Sequence, residues 1–167
     1  NNPVPYYCRG LSKAELNDHK GAIEDYSKAI QLSPFDLWTY YHRGISYSKL
    51  GNHPAAIADF TKVLGIDPEH TDSYFNRALA KHELKDYLGA IADFNIILEK
   101  NEFNLKVLFH RSLSKFDNLD FGGTIQDLDI IIEIDSEHKE ALYFRGLALI
   151  RSGKLDKGCI DLGKAKE

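Results

Sequence analysis

Arginine and aspartate recur in this chain at a fixed spacing, and they are the first groups able to do chemistry. Arg9, Arg43, Arg77, Arg111 and Arg145 stand 34 residues apart, and Asp25, Asp59, Asp93, Asp127 and Asp161 follow them at an offset of 16. Five guanidinium groups on a lattice are five candidate anion sites. A carboxylate at constant offset from each points instead to bidentate pairing, for which the planar guanidinium is suited. The spacing therefore predicts five structural ion pairs: Arg9–Asp25, Arg43–Asp59, Arg77–Asp93, Arg111–Asp127 and Arg145–Asp161.

The remaining chemistry-bearing residues do not assemble into a catalytic or metal-binding set. Seven histidines are present, but no two stand at i, i+4. His42 and His110 share a register two repeats apart, roughly 20 Å by helix spacing, too far for one metal. His19 and His53 fall where helices begin, and His70 and His138 fall in or near turns. Cys8 and Cys159 lie at opposite ends of the chain, which excludes a disulfide if the repeats stack in line. Gly122-Gly123 lacks the glycine spacing and lysine of a phosphate loop. Asp127 and Asp129 share a helix but not a face. No nucleophile–base arrangement is visible, so the expectation is a non-enzyme with no metal and no cofactor.

The elements that must position these residues follow from the same period. Gly10, Gly44 and Gly146 precede no gap in the lattice, since Ala78 and Ser112 fill its other two points. A period of 20–50 residues means stacked supersecondary units. Counting each unit from Pro3, Leu37, Thr71, Leu105 and Lys139, position 4 is large (Tyr6, Tyr40, Tyr74, Leu108, Leu142) and position 8 is the small residue. Position 20 is again small (Ala22, Ala56, Ala90, Thr124, Gly158), and position 24 is large (Tyr26, Phe60, Phe94, Leu128, Leu162). Two helices can approach closely at such small residues while large ones fill the flanks. Asp18, Asn52, Asp86, Asp120 and Asp156 read as N-caps of second helices. Ser33, Asp67, Asn101 and Asp135 suit the turns between repeats. Helices are predicted near 4–16, 20–32, 37–50, 54–66, 71–84, 87–100, 105–118, 121–134, 139–152 and 155–167.

This pattern resembles the tetratricopeptide repeat family, over about residues 3–167. The departures are Glu102 and Ser136 where the family closes with Pro, as Pro34 and Pro68 do here, Thr124 and Gly158 in place of Ala, and a short fifth repeat. The resemblance implies an all-α, right-handed α-α superhelix, a solenoid of helix-turn-helix repeats. It would form a single domain over 1–167, with repeats 3–36, 37–70, 71–104, 105–138 and 139–167.

The resemblance also implies a function. First helices of the family line a concave face, and here that face would carry an aromatic row (Tyr7, Tyr41, Phe75, Phe109, Tyr143) beside an aliphatic one (Leu11, Ile45, Leu79, Leu113, Leu147). Its polar members group in the middle repeats. The expected peptide-binding residues are Trp38, Tyr41, His42, Phe75, Asn76, Lys106, Phe109, His110 and Tyr143. Asn76 stands out because an amide can donate to and accept from a peptide backbone. Members that clamp a chaperone C-terminal carboxylate use Lys, Asn, Asn, Lys and a basic residue at set positions. The best frame here is Tyr41, Ile45, Asn76, Lys106 and His110, which matches at Asn76 and Lys106 and has His110 as a pH-dependent substitute for the basic residue, a partial clamp. Binding is therefore not expected to need a free carboxylate.

Charge narrows the partners further. The chain has 167 residues, 43% hydrophobic and 28% charged, with a net charge of −4. It has no basic block, which disfavours nucleic acid. No apolar run approaches the ~18 residues of a membrane span. The chain begins Asn1-Asn2 and contains no Met, so any targeting segment is expected outside it, and the compartment is not legible. A protein or peptide partner is expected. The alternatives are self-association through repeat ends or grooves, including a homo-oligomer through the C-terminal end, and an accessory segment of a larger enzyme or secretion or assembly protein.

Overall fold

In a computed structural model, which describes residues 2–166, ten helices follow one another with no strand among the described residues. They are α1 (Val4–Glu15), α2 (His19–Leu32), α3 (Leu37–Lys49), α4 (His53–Ile66), α5 (Thr71–Glu83), α6 (Tyr87–Lys100), α7 (Leu105–Asp117), α8 (Phe121–Ile134), α9 (Lys139–Arg151) and α10 (Leu155–Lys164). This is the all-α helix-turn-helix repeat fold that the 34-residue period predicts. Nine helices fall within one residue of their predicted bounds. The tenth stops at Lys164 rather than running to 167, a residue outside those described.

The chain divides into two compact units, Asn1–Leu84 and Lys85–Glu167. The first holds α1 to α5 and the second α6 to α10, so the break falls inside the third repeat. Within each unit, a helix packs on its hairpin partner and on the first helix of the next repeat.

The small-large lattice explains the packing. In the first unit Ala22, Tyr26, Ala56 and Phe60 are fully buried. A Cβ on Gly10 would stand 2.6 Å from Tyr26 Cε1, and one on Gly44 would stand 2.9 Å from Phe60 Cε1. The bare backbone of the first helix is what lets each ring settle. Burying such a side chain contributes ~1.5–3 kcal/mol. In the second unit Ala90, Phe94, Leu108, Leu128 and Ile131 form the equivalent core. There Ser112 and Thr124 replace the usual small pair and satisfy their hydroxyls locally: Ser112 Oγ donates to Phe109 O (2.7 Å) and Thr124 Oγ1 to Asp120 O (2.8 Å).

Helix starts are capped by side chains. Asp18, Asn52, Asp86 and Asp120 accept from the backbone N–H of Gly21, Ala55, Gly89 and Gly123 at 2.9–3.3 Å. Each such cap is worth ~1 kcal/mol. The expectation for Asp156 fails. Counting 34 from Asp120 reaches Lys154, which is the N-cap of α10 and makes no side-chain cap bond. Asp156 lies in the first turn, where a carboxylate still favours the helix dipole. The residue before each cap is left-handed: Asn17, Gly51, Lys85, Leu119 and Gly153, with φ from 62° to 81°.

Candidate functional site

The lattice arginines tie helices together. Arg9 donates through Nε and Nη2 to the two oxygens of Asp25 at 2.8 and 2.5 Å. Arg43 meets Asp59 at 2.8 and 2.8 Å, Arg111 meets Asp127 at 2.9 and 2.7 Å, and Arg145 meets Asp161 at 2.7 and 2.9 Å. Arg77 and Asp93 belong to different units. Within its own unit Arg77 donates to Thr61 Oγ1 at 3.1 Å.

A third contact was not foreseen. The spare Nη1 donates to a residue 16 positions earlier, on the second helix of the preceding repeat. Arg43 reaches Ser27 Oγ (3.0 Å), Arg111 reaches Asn95 Oδ1 (2.7 Å) and Arg145 reaches Asp129 Oδ1 (2.7 Å). Arg43, Arg111 and Arg145 thus each tie their own hairpin together and tie it to the second helix of the preceding repeat. Lysines add a second cation within both units: Lys13 lies 2.9 Å from Asp25, and Lys115 lies 3.0 Å from Asp127. The hydrogen bond from Arg9 holds the Asp25 carboxyl down at about 2, against its burial, with Lys13 assisting. Among the described pairs these cations are each engaged by a carboxylate.

The first unit gathers rings on the exposed side of its first helices. Trp38 and Tyr41 meet edge to face at 6.2 Å. Tyr41 lies 5.4 Å from His42, and Tyr7 lies 5.9 Å from His42 on the other side. Fully buried Tyr26 stacks on His42 at 6.4 Å, and its hydroxyl has no hydrogen-bond partner. Burial pushes the Tyr26 phenol up to about 12. Burial also lowers the pKa of His42, with Asp36 opposing, so the imidazole is held neutral at neutral pH. Trp38 remains 54% exposed among these rings.

His70 completes the cluster, and its role was missed in the sequence. Its ring is 5.0 Å from Tyr41 and 5.6 Å from Trp38. Its Nδ1 accepts from Ser73 N at 3.2 Å, which makes it the N-cap of α5. His138 does the same for α9 through Ala141 N, and Asn104 for α7 through Val107 N. The available signal was position: each stands immediately before a first helix and carries an acceptor.

Asn76 is more constrained than its residue type suggests. Its Nδ2 donates to Asp72 O (2.8 Å) and to Tyr41 Oη (3.3 Å). Both donors are engaged within the unit, and Oδ1 is the atom left for a ligand. Phe75 is half-buried beside it.

The second unit uses the same positions differently. His110 stacks on buried Phe94 at 6.3 Å. Phe109 contacts His138 (5.7 Å) and Phe144 (6.0 Å), and Phe144 contacts Phe116 (6.0 Å) and Tyr143 (5.4 Å). This is a phenylalanine seam between first helices. Tyr143 and Lys106 are its exposed edges. The described residues hold no group of three or more His, Cys, Asp or Glu placed to bind a metal. No helix is long and apolar enough to cross a membrane. Cys8 and Cys159 are exposed free thiols.

Residues 10–51 match the family described as TPR repeat, and residues 38–70 match the tetratricopeptide repeat. No curated protein sequence matches the chain. Among solved structures, the crystal structure of MamA protein superimposes with a TM-score of 0.91 at 21% identity, covering 98% of this chain and 89% of that one. MamA 41-end from Desulfovibrio magneticus RS-1 gives 0.92 at 15% identity, covering 98% and 93%. YrrB, a TPR protein with an unusual peptide-binding site, gives 0.87 at 21% identity, covering 98% and 84%. Identities this low speak for the fold alone. Residues 10–70 thus carry repeats of the tetratricopeptide family, and the ten described helices follow the fold of tetratricopeptide repeat proteins along the chain.

Proposed function

We propose that the chain is a non-catalytic protein-interaction scaffold that holds a peptide or helical segment against the exposed side of its first helices. The observation that carries this reading is the ring cluster of the first unit. Trp38, Tyr41 and Tyr7 offer amphipathic area at little entropic cost, a residue type enriched where interfaces concentrate their energy. Asn76 Oδ1 supplies an acceptor for a backbone N–H. Phe75 extends the surface in the same unit. Lys106, Phe109, His110 and Tyr143 are the corresponding candidates in the second unit. The solved likeness of YrrB, with its peptide-binding site, supports the class of function and not the site.

The test is retention of a randomised peptide library on the full chain and on Tyr41→Ala/Asn76→Ala. Loss of most retention in the double variant, with an unchanged helical circular dichroism spectrum, is the expected result. Equal retention by both proteins would refute the reading. Weight would then pass to self-association through α10, where Leu155 and Ile160 are each 59% exposed. A cavity of about 350 Å³ beside that helix is lined by Tyr143, Phe144 and Leu162.

A further inference from the structure

The first-unit face has a chemical bias that narrows its occupant. Beside the Trp38 indole N–H and the tyrosine hydroxyls, it carries acceptors contributed by an amide and two carboxylates. Asn76 has spent both donors inside the unit and keeps Oδ1. Asp36 uses one oxygen to accept from Thr39 Oγ1, and its other oxygen has no assigned donor. Asp72 is exposed one turn before Asn76.

Both carboxylates act on the rings. After burial, the negative charge of Asp36 is the next influence raising the Tyr7 phenol, and that of Asp72 the next raising Tyr41. Two imidazoles belong to the cluster: burial disfavours the charged form of His42, and His70 turns its Nδ1 lone pair to the Ser73 N–H. The aromatic faces themselves attract cations through their quadrupoles, best for an indole and within ~6 Å of a ring centroid. Trp38 presents the most exposed of them. Of the first-helix positions on α1, α3 and α5 that the resemblance places on this face, Lys49 is the one Lys or Arg, His42 and His82 are imidazoles, and Glu15, Asp72 and Glu83 are acidic.

We infer that the ring cluster of Tyr7, Trp38 and Tyr41, bordered by Asp36 and Asp72, takes an arginine or lysine side chain of a basic segment, with Asn76 Oδ1 accepting from the segment's backbone. The inference rests on the proposed peptide-binding role and specifies its partner. Acidic segments would meet like charge, and purely apolar ones would leave the two carboxylates uncompensated, which penalises the wrong partner more than it rewards the right one.

The experiment selects a randomised short-peptide library on the full chain, on Tyr41→Ala/Asn76→Ala and on Asp36→Asn/Asp72→Asn. Asparagine keeps the acceptor that Thr39 uses, so the second pair removes charge without removing that bond. Selected peptides are then compared with analogues in which Arg and Lys become norleucine, using the fluorescence of Trp38, the sole tryptophan. The expected result is enrichment of Arg and Lys on the wild type. Binding should fall roughly tenfold for the norleucine analogues or on the Asp36→Asn/Asp72→Asn protein. Trp38→Leu, at an exposed position that threatens no core, should weaken the basic peptides several-fold, read for this variant by titration calorimetry because it lacks the fluorophore. Selection without basic enrichment, abolished by Tyr41→Ala/Asn76→Ala, would overturn the inference and leave the peptide-binding reading standing. Selection indifferent to both pairs of substitutions would overturn both.

Discussion

Replacing Arg43 with Ala tests whether the lattice arginines hold the repeats in register. Arg43 gives two charge-assisted hydrogen bonds to Asp59 and one hydrogen bond to Ser27 on the preceding repeat. Its guanidinium also lies 5.6 and 5.7 Å from the rings of Tyr40 and Tyr47. The Asp59 side chain is only 5% exposed, while Arg43 is 17% exposed. Removing one partner of a buried pair costs ~3–5 kcal/mol, because the other charge is left unpaired. Arg43 sits near the surface, so water reaches part of the vacated site, and the low end applies: about 3 kcal/mol. The Ser27 bond accounts for ~1 kcal/mol of that loss. Arg43→Ala/Asp59→Ala removes the stranded charge and should recover ~1–2 kcal/mol, since a buried pair is worth little against apolar replacements. Ser27→Ala alone should cost ~1 kcal/mol and show little further loss when combined with Arg43→Ala.

Urea unfolding read at once by Trp38 fluorescence and by far-ultraviolet circular dichroism measures this. Trp38 stands at the start of the same helix as Arg43 and reports the first unit. If the arginine couples neighbouring repeats, the fluorescence transition of Arg43→Ala should separate from the helical one, as expected when a nearest-neighbour interface weakens in a repeat array. A loss below about 1 kcal/mol, or a double variant no more stable than Arg43→Ala, would refute the buried-pair argument. Full additivity of Ser27→Ala and Arg43→Ala would refute the coupling between repeats.

Two further outcomes follow from named groups. The Asp25 carboxyl titrates at about 2 in the folded chain against 3.8 when free, so its contribution is complete above pH 3.8 and is lost as pH falls through about 2. Asp25→Asn should flatten the dependence of the urea midpoint on pH between those values, and an unchanged slope would show that Arg9 and Lys13 do not hold the carboxylate down. Leu119 adopts φ 63° and is 72% exposed, a branched side chain in the left-handed region with nothing buried in return. Leu119→Gly should stabilise by ~1 kcal/mol, read as a raised melting temperature, because glycine removes a Cβ penalty of ~1–2 kcal/mol at some entropic cost.

What was legible in the sequence was whatever the lattice repeats by residue identity. Arg at one register and Asp sixteen later gave the pairs, and alternating small and large residues gave the hairpins, because close backbone approach tolerates few substitutes. What the structure added repeats by hydrogen-bonding role instead. The acceptors for the arginines' third bond are Ser27, Thr61, Asn95 and Asp129, four residue types with one function. The caps of α5, α7 and α9 are His70, Asn104 and His138, again different types that each accept one backbone N–H. Asp156 misled for the opposite reason: the right residue type stood two places from the register that caps. Asn76 shows the limit of reading a site from types, since a partner 35 residues away at Tyr41 consumes a donor that the sequence leaves open. The two units make the same point about the aromatic row. Tyr7, Trp38 and Tyr41 retain hydroxyl and indole groups and accessible edges, whereas Phe109, Phe116 and Phe144 close on one another. The first helices therefore present rings with polar substituents in the first unit and close into a phenylalanine seam in the second, a difference set by ring type and contacts that position in the repeat does not disclose.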